Sequence, residues 1–591
     1  VALVNRRGVP AVRGVAELMM AALGHRGPDA SGIWSSLSSL AAFCHTRLAI
    51  VDLSDAGAQP MTSADGRWTI TYNGELYNTD DLRRRLSNPR WRGHSDTEVF
   101  VEYIAHHGVV AALEDARGMF AFGCWDAQKS ELWLARDRFG EKPLYYGLHQ
   151  GAFLFASELK ALRSVPGFHP DIDRHALAEY FRWTNVPSPM TIYEGVSKLP
   201  PAHFLRVSDP DGIPRPQPYW SALEVAGDAP PLPVGADAVD QLGTVLDAAV
   251  HSQMVSDVPL GAFLSGGIDS SSVVAAMQRQ TTTPVQTFTI GFSEPSYDES
   301  GYAAEVAAAL GTDHTYLVVT PDDAMRVIPD LSSIYDEPFA DSSQIPTFLV
   351  SRMAREHVTV ALSGDGGDEL FGGYDRYQQA ARLDRLRRVL PGSIRRGLGG
   401  TLARLPVDSW DRLGGFLPRP LVPSGLRHRT GHRMHKVARL LAADGPPDVY
   451  ASLMSIENRD QGLVIGVEDS TPRFGGILLS ELEGMTPFER AMLIDTLTYL
   501  PGDLLTKVDR ASMAVSLEVR VPFLDPDLFR FAWGLSSEHR VRSGQGKWVL
   551  RELLRRSLPD HLIDRPKMGF GVPIGQWLRG PLRSWADELL D

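Results

Sequence analysis

The sequence predicts two structural units, an α+β unit built on packed antiparallel sheets and an α/β unit built on a mainly parallel sheet. The first third of the chain contains short β-prone runs separated by Gly, Asp and Pro residues, a pattern typical of antiparallel sheets. After a proline-rich stretch, β-prone runs alternate with segments of helical spacing, which indicates a parallel sheet covered by helices. The length of 591 residues also exceeds what one hydrophobic core usually serves.

Six runs in the first third are rich in β-branched and aromatic residues, as strands are. They are 48–52, 68–73, 119–125, 132–135, 144–148 and 152–157. Gly, Asp and Pro residues between them predict tight turns. We therefore expect packed antiparallel sheets in this part of the chain.

Prolines crowd together between residues 206 and 237, which predicts a peripheral strand followed by a linker. They are Pro210, Pro214, Pro216, Pro218, Pro230, Pro231 and Pro233. The domain boundary is expected there. We therefore divide the chain into a first domain at 1–205, the strand and linker at 206–236, and a second domain at 237–591.

Strands and helices alternate after the linker. We predict strands at 261–264, 286–291, 315–319 and 358–362, with helices at 269–279 and 299–310 and another that ends at 335. Such βαβ alternation implies a parallel sheet with ligands at the carboxyl ends of its strands. From about residue 378 onward the pattern is helical with loops.

The composition fits a globular enzyme, with 43% hydrophobic and 22% charged residues. A formal net charge of −13 disfavours nonspecific binding to nucleic acid or to anionic membrane. The Arg-rich stretch 382–396 is therefore interpreted as solvated helix faces. No apolar run approaches the length of a membrane span and the start lacks the shape of a signal peptide, so we expect a cytoplasmic protein.

The chain has two cysteines, Cys44 and Cys124, each in an apolar, strand-like run. Two are too few for a disulfide scaffold or a cysteine-based zinc site. We interpret both as inert core thiols.

Residues 263–272 carry the sequence Phe-Leu-Ser-Gly-Gly-Ile-Asp-Ser-Ser-Ser, typical of a strand end, a glycine turn and a helix start. Gly266 and Gly267 let the backbone approach phosphate oxygens, and the hydroxyls of Ser265 and Ser270 add donors. The Gly-Lys-Ser/Thr ending of the usual P-loop is missing. The loop therefore suits a leaving pyrophosphate, and the chain is expected to split ATP into AMP and pyrophosphate. The alternative is a surface turn capped by Asp269.

A second loop at 363–369, Ser-Gly-Asp-Gly-Gly-Asp-Glu, follows the predicted strand 358–362. Carboxylates beside a phosphate loop suit Mg²⁺, which prefers oxygen ligands and shares them with phosphates. Asp269 and Asp368 are the candidate metal ligands, one from each loop. A solvated acidic turn is the alternative. Because both loops end strands of one predicted sheet, the metal site is favoured.

These motifs resemble those of the bacterial glutamine-dependent asparagine synthetases, over nearly the whole chain. In the second domain the matching segments are 265–270, 336–341, 363–374, 507–513, 518–525 and 565–571. The resemblance implies a pyrophosphatase-type (PP-loop) domain with a parallel sheet and C-terminal helices. It implies ATP contacts at Leu264, Ser265, Gly266, Gly267, Asp269, Ser270, Ile290, Gly291, Ser363 and Gly364. It places Lys567 at the pyrophosphate, where a fixed cation stabilises charge that develops in the transition state.

In the first domain the matching segments are 25–29, 47–52, 59–61, 72–78, 95–98 and 136–140. They are similar to the class II glutaminase domain, an N-terminal-nucleophile αββα sandwich. The resemblance implies that Arg47 pairs with the glutamine α-carboxylate, that Glu75 and Asp96 hold its α-ammonium, and that Asn73 and the Gly74 N–H form the oxyanion hole. His25 and Asp29 are expected to fix a loop, and Arg136 and Asp137 to form an internal ion pair.

One departure from the family pattern concerns the nucleophile. In the family this is an N-terminal cysteine, whose thiol works with its own α-amino group as base. This sequence begins Val1-Ala2-Leu3, with no cysteine before position 44. We expect that a few residues, the cysteine among them, precede Val1. Real loss of the glutaminase, as in the related β-lactam synthetases, is the alternative, and the intact glutamine residues disfavour it. Cys44 and Cys124 cannot substitute, because neither has a free α-amino group.

The expected function is that of a two-domain amidotransferase ligase that uses ATP and Mg²⁺. Glutamine would be hydrolysed in the first domain, and ammonia would pass internally to an acyl-AMP in the second. Aspartate is the default acceptor, and a homodimer is left open. One alternative is a specialised relative that amidates or cyclises another carboxylic acid. Another is a nucleotide-binding regulatory protein that has lost turnover.

Overall fold

A computed structural model gives the fold of the chain. It describes residues 2–5, 12–37, 40–87, 90–208, 214–232, 235–404, 446–455, 463–467, 484–565 and 571–590, and short pieces at 406, 409, 434–435, 437–438, 440–441 and 482. Lys567 of the predicted site lies outside the described residues. No helix in the part of the chain that the structure describes is long and apolar enough to cross a membrane.

Two antiparallel sheets of six strands form the N-terminal part. The first has the order β10 (Val196–Lys198), β8 (Tyr145–His149), β9 (Ala152–Ala156), β1 (Ala2–Asn5), β3 (Ala41–Arg47), β2 (Ala30–Ser35). The second has the order β12 (Gln217–Pro218), β11 (His203–Val207), β7 (Glu131–Arg136), β6 (Gly118–Asp126), β5 (Trp68–Leu76), β4 (Met61–Thr62). The helices are Val12–Ala21, Thr79–Arg85, Asp96–His107, Val109–Asp115, Leu159–Arg163 and Arg174–Trp183.

Three apolar clusters hold these elements in four layers. Phe43, Phe153 and Phe155 of the first sheet meet Leu132 and Leu134 of the second. Helices Val12–Ala21 and Leu159–Arg163 cover the outer face of the first sheet. Helices between residues 79 and 115 cover the outer face of the second. The predicted αββα sandwich is confirmed.

One predicted strand is wrong. Five of the six predicted runs fall on β5 to β9, but residues 48–52 form a loop after β3, which ends at Arg47. The buried guanidinium of Arg47 causes this, since it donates to the carbonyl oxygens of Val51, Asp52 and Ser54 and turns the chain around itself. Asp52 adopts a left-handed conformation, with φ of 57°, which also ends the strand.

The predicted peripheral strand before the linker corresponds to β11 and β12. β11 pairs with β7, and β12 pairs with the start of β11, so that the second sheet extends to Pro218. Helix Ala222–Asp228 follows. The domain limits themselves stay a prediction.

A parallel sheet of five strands forms the core of the C-terminal part. Its order is β15 (Asp313–Val319), β14 (Gln286–Phe292), β13 (Leu260–Phe263), β16 (Val360–Leu362), β17 (Glu518–Arg520). Every neighbouring pair is parallel. The four predicted strands are confirmed, with ends shifted by up to two residues. β17 was not predicted, because three residues carry too short a pattern.

Helices cover both faces of this sheet. They are Ala236–Gln253, Ile268–Arg279, Ser300–Leu310, Pro321–Val327, Leu331–Tyr335, Gln344–Arg355, Gly367–Phe371, Asp375–Val389, Gly392–Arg404, Pro446–Met454, Pro487–Leu497, Leu505–Met513, Pro526–Gly534, Ser537–Arg540, Trp548–Leu554, Asp560–Ile563, Ile574–Trp577 and Arg583–Leu590. This part also contains a π-helical turn at Leu500–Leu504 and a hairpin of β18 (Val541–Arg542) and β19 (Gln545–Gly546). Short 3-10 helices lie at Gly24–Arg26, Asp55–Gly57, Ile328–Asp330 and Pro522–Leu524. Within 382–396, Arg382, Arg385 and Arg396 are exposed, as expected of solvated helix faces.

A buried charge network joins the two parts. Arg26 donates to Glu158 at 2.8 Å and to both oxygens of Asp509 at 2.8 and 2.9 Å. Arg510 pairs with the same oxygen of Glu158 at 2.8 Å and donates to the Tyr145 hydroxyl. Burial alone would raise the pKa of Glu158, but Arg510, His25 and Arg26 hold it well below its usual range. The domains therefore meet through compensated charges as well as apolar contact.

We expect Glu158→Gln to lower the free energy of unfolding by about 3 kcal/mol, because the buried arginines lose their shared counter-charge. Folding lowers the pKa of the Glu158 carboxyl group. Its contribution to the free energy of unfolding is therefore fully present above the pKa of the unfolded chain, and it is lost as the pH falls through the lower pKa of the folded state. Urea unfolding, followed by tryptophan fluorescence at several pH values, measures the loss of unfolding free energy and its dependence on pH. Glu17→Gln, which removes an exposed pair with Arg13, is the matched control and should cost at most about 0.5 kcal/mol. Equal loss in the two variants would contradict the role of Glu158.

Candidate functional site

All five residues predicted to bind glutamine line one cavity of the N-terminal part. Arg47 ends β3, Asn73, Gly74 and Glu75 follow one another on β5, and Asp96 opens the helix Asp96–His107. The arrangement offers one buried cation and two buried carboxyl groups to a small zwitterion.

Arg47 is fixed before any ligand binds. Its guanidinium donates to the carbonyl oxygens of Ser54 at 2.9 Å and Val51 at 3.5 Å, and also to Asp52. A Cβ on Gly57 would lie 2.1 Å from the Nη2 atom of Arg47. Asp29 accepts a hydrogen bond from the backbone of Ala49 at 2.8 Å and so fixes the same loop, as predicted. His25, expected to do likewise, contacts Glu158 instead.

Asn73 and Gly74 present donors of the kind an oxyanion hole needs. The buried Nδ2 atom of Asn73 has no hydrogen-bond partner in the described part of the chain. Gly74 has φ of +153°, and a Cβ there would lie 2.0 Å from the carbonyl oxygen of Met119. Only glycine fits at this position. An unpartnered buried donor is costly unless a ligand oxygen meets it.

Two of the carboxyl groups that line the cavity, Asp96 and Glu75, have raised pKa values. Burial raises the pKa of Asp96 to about 6, against hydrogen bonds from Leu76 and Thr97 that lower it. Burial and the neighbouring Asp96 raise the pKa of Glu75 well above its usual range. A bound ammonium group would lower both values, because it favours the charged carboxylates.

Strand β1 is paired next to a strand that lines this cavity. Ala2 pairs with Phe43 on one side and with Phe155, a lining residue, on the other. Cys44 and Cys124 are fully buried, and burial raises the pKa of both thiols. Both therefore fit the prediction of inert core thiols, although Cys44 also lines the cavity wall.

Arg136 and Asp137 differ from the prediction. Arg136 donates to the carbonyl oxygens of Lys142, Leu199 and Gly140. Asp137 accepts from backbone N–H groups between residues 120 and 142. The predicted ion pair is therefore wrong, because backbone groups of the surrounding turn take the hydrogen bonds of both side chains.

The predicted ATP residues meet at the carboxyl edge of the parallel sheet. Leu264 to Gly267 follow β13, and helix Ile268–Arg279 begins directly after them. Ser363 and Gly364 follow the neighbouring strand β16. A Cβ on Gly364 would lie 2.6 Å from the backbone nitrogen of Ser270, so the two loops touch.

The pyrophosphate loop is held in shape by its own serines. The Ser265 and Ser270 hydroxyls are 3.1 Å apart, and Gly267 N–H donates to Ser265 Oγ at 3.3 Å. Gly266 has φ of 68°, and Arg565 donates to its carbonyl oxygen. Gly291 lies near the end of β14, where a Cβ would meet Asp298. The Ile290 side chain packs in the apolar core, so only backbone at that strand end could face a nucleotide.

Lys547 lies between the two predicted metal ligands. Its ammonium group is 2.5 Å from Asp368 and also pairs with Asp269. Burial would lower the pKa of Lys547, but the two carboxylates raise it. The sequence analysis did not identify Lys547 as a site residue. The one feature that could have indicated it is its position directly after the glycine-containing turn Gly544–Gly546. Within the described residues, no group of three or more His, Cys, Asp or Glu side chains could hold a metal ion.

A ring of carboxyl groups includes two residues of the 363–369 loop, whose carboxylates the sequence predicted to lie near the phosphates, and three that it did not assign to the site. Its members are Asp341, Asp365, Glu369, Asp495 and Asp503, with the cations Lys507 and Arg376. Lys507 donates to Asp341 at 2.7 Å, and Arg376 to Asp495 at 2.6 Å. Burial and neighbouring carboxylates raise the pKa of Glu369 and of Asp503 to about 8. We refer to these seven residues as the acidic ring.

Comparison with known families identifies a family model for each part of the chain. A model of the glutamine amidotransferase domain matches residues 6–220, and the asparagine synthase model matches residues 241–591. The chain belongs to the asparagine synthase family. The predicted resemblance, the two-domain fold and the class of glutamine-dependent ligase are thereby confirmed.

Several known proteins align with nearly the whole chain. Asparagine synthetase (glutamine-hydrolysing) 1 of Bacillus subtilis is 33% identical over 96% of this chain and 85% of its own length. A putative asparagine synthetase of Mycobacterium tuberculosis is 35% identical over 95% of this chain and 84% of its own length. Amidase chry2 of Gibberella zeae is 28% identical over 96% of this chain and 86% of its own length.

We expect kcat/KM for glutamine hydrolysis to fall as pH drops through about 6, because protonation of Asp96 removes its charge. The free-enzyme pKa governs kcat/KM, so the raised value in the empty cavity is the one observed. Asp96→Asn should have lower activity throughout and lose this acidic limb. The measurement is ammonia release between roughly pH 5 and 8. A wild-type profile that stays flat across this range would count against the role of Asp96.

Proposed function

We propose that this chain amidates a carboxylic acid, with aspartate as acceptor, through an acyl-AMP intermediate and with ammonia from glutamine. The observation that carries the proposal is the pairing of two built sites in one chain. All five glutamine residues line one cavity, while the loops 264–270 and 363–369 meet at one sheet edge. The cytoplasmic location and the homodimer stay predictions.

The glutamine half follows from charges in the cavity. Arg47 would bind the α-carboxylate with its planar fork, and Glu75 and Asp96 would bind the α-ammonium. The amide carbon would then lie toward Asn73 and Gly74, whose N–H groups stabilise the oxyanion of the tetrahedral intermediate. The proposed nucleophile is an N-terminal cysteine thiol, with its own α-amino group as the base. The pairing of Ala2 with the lining residue Phe155 supports this.

The synthetase half follows from the phosphate loop. An acceptor carboxylate attacks the α-phosphate of ATP, and the bond to pyrophosphate breaks. Backbone N–H groups after Ser265 would bind the leaving oxygens, and Lys547 and Lys567 would neutralise their charge. Asp269 and Asp368, whose carboxylates both contact the Lys547 ammonium, would hold Mg²⁺ together with phosphate oxygens. Such an ion would screen the phosphate charges that otherwise repel the attacking carboxylate.

Ammonia then attacks the acyl carbon, giving the amide and AMP. The acidic ring beside Ser363 supports an acceptor that itself carries an ammonium group. Five carboxyl groups face two cations there, and a substrate ammonium would offset part of the excess. Aspartate satisfies this requirement, whereas a simple dicarboxylic acid does not.

A specialised acceptor is the second candidate. Amidases of Gibberella zeae and Penicillium rubens, each 28% identical to this chain, align over 96% of it. Because these relatives are named as amidases and not as asparagine synthetases, we keep a different carboxylic acid as the second candidate acceptor. A regulatory protein without turnover is disfavoured, because Lys547 and both loops are intact. Pyrophosphate release measured across a panel of carboxylic acids, with and without amino groups, separates the first two candidates.

We expect Arg47→Ala to lower glutamine-driven amide formation about 100-fold, the loss of charged hydrogen bonds to the substrate. Synthesis driven by ammonium chloride should stay within about two-fold, because the adenylating site is separate. Amide product is measured directly under both conditions. Arg206→Ala, which removes a partly exposed pair with Glu131 far from the cavity, is the control. Parallel loss of both activities in Arg47→Ala would contradict separate sites.

We expect Lys547→Ala to lower ATP-dependent pyrophosphate release by about 100-fold or more, since a fixed cation at developing charge is lost. Glutamine hydrolysis should persist, because Lys547 lies in the other domain. Coupled pyrophosphate and ammonia assays measure the two rates. Lys129→Ala, at an exposed turn, serves as control. Near-normal pyrophosphate release in Lys547→Ala would remove Lys547 from the proposed mechanism.

A further inference from the structure

The segment Gln253–Pro259 of the C-terminal part touches the wall of the glutamine cavity. It leads from the end of helix Ala236–Gln253 into β13, the strand that carries the pyrophosphate loop. We call it the connecting segment. Its contacts are with the loop that holds Arg47, and none of its residues was predicted to serve the glutamine site.

Asp257 makes most of these contacts. Its backbone N–H donates to the carbonyl oxygen of Ile50 at 2.9 Å, and its Oδ2 atom accepts from the backbone N–H of Asp52 at 2.8 Å. The same Oδ2 atom lies 2.8 Å from Nε2 of His94. One residue of the synthetase domain therefore fixes both ends of the turn 50–52.

That turn positions the guanidinium of Arg47. The carbonyl oxygens of Val51 and Asp52 accept from Arg47, and Ile50 and Val51 line the cavity. His94 reinforces the turn from its other side, because its backbone N–H donates to the Asp52 carboxylate at 2.8 Å. Moving the turn would move the group proposed to bind the glutamine α-carboxylate.

The connecting segment is also tied to the opposite side of the cavity. Arg520, fully buried at the end of β17, donates to the carbonyl oxygens of Gln253 at 2.9 Å and Val255 at 2.6 Å. Its Nη2 atom reaches Glu75 at 3.3 Å. The segment therefore lies between the residues proposed for the two charged groups of glutamine.

We propose that the synthetase domain completes the glutamine site, with Asp257 as a positioning residue for Arg47. Asp257 does not touch glutamine. It holds the turn 50–52 so that the carbonyl oxygens of that turn keep the guanidinium aimed into the cavity. The inference rests on the proposed glutamine site and adds to it a residue from outside the amidotransferase domain.

The test compares Asp257→Ala with Asp257→Asn in the full-length enzyme. Alanine removes the acceptor for Asp52 N–H, and we expect the KM for glutamine to rise about five-fold, the effect of one lost hydrogen bond. Asparagine keeps a side-chain oxygen at that position, so the KM should return to within about two-fold of wild type. The kcat for ammonium-driven synthesis should not change in either variant.

Two reference variants make the outcome decisive. Asp527→Ala removes an exposed ion pair between the domains, with Arg117, that does not touch the cavity, and it should leave the KM for glutamine unchanged. Arg47→Ala reports on the glutamine site itself. If Arg47→Ala raises the KM and Asp257→Ala does not, the role of Asp257 is refuted while the proposed function stands. If neither raises it, the glutamine site itself is wrong.

A general defect would also refute the inference. If Asp257→Ala loses ammonium-driven synthesis, Asp257 has a general structural role. If the KM for glutamine is as high in Asp257→Asn as in Asp257→Ala, its role is purely electrostatic. A rise in KM confined to Asp257→Ala and reversed by asparagine supports positioning.

Discussion

The buried pairing of Arg26 and Glu158 with Asp509 and Arg510 is the interaction on which the two-domain arrangement depends. Asp509 and Arg510 lie on helix Leu505–Met513, and this one helix serves three regions. Lys507 belongs to the acidic ring, Asp509 and Arg510 form the domain contact, and Met513 lines the glutamine cavity. Buried charges tolerate little displacement, because each must keep its partner. The relative position of the two sites is therefore set by ion-pair geometry.

The charge balance of the synthetase site has a thermodynamic consequence. Glu369 and Asp503 have pKa values of about 8, so protons supply the positive charge that the protein lacks. A cationic ligand that enters this ring lowers those values and releases the protons. Binding of such a ligand is thus coupled to proton release near neutral pH. The same reasoning applies to Glu75 and Asp96 when an ammonium group enters the glutamine cavity.

Local sequence patterns predicted most of the fold and the two loops of the synthetase site. The candidate residues of the glutamine cavity came from the family resemblance, and all five line that cavity. Strands such as β5 to β9 and β13 to β16 were predictable because their apolar runs and flanking glycines are local signals. The loop 48–52 was predicted as a strand because its propensity is that of a strand, whereas the fold makes it wrap around Arg47. Lys547 and the members of the acidic ring outside the 363–369 loop could not be assigned to the site, since distant segments bring them together. Arg136 and Asp137 show the same limit, because their partners are backbone groups of a turn.

The placement of the connecting segment bears on how such a protein can evolve. A glutaminase domain that is complete in itself could be exchanged among relatives like a module. Here Asp257 and Arg520 of one domain hold the turn at Ile50 and the carboxyl group of Glu75 in the other. A chimaera of a glutaminase domain from one relative and a synthetase domain from another would keep the pocket residues but lose these contacts to them. Substitutions in the turn and in the connecting segment should therefore have been accepted together during evolution. They would appear in related sequences as correlated changes between residues of the two domains.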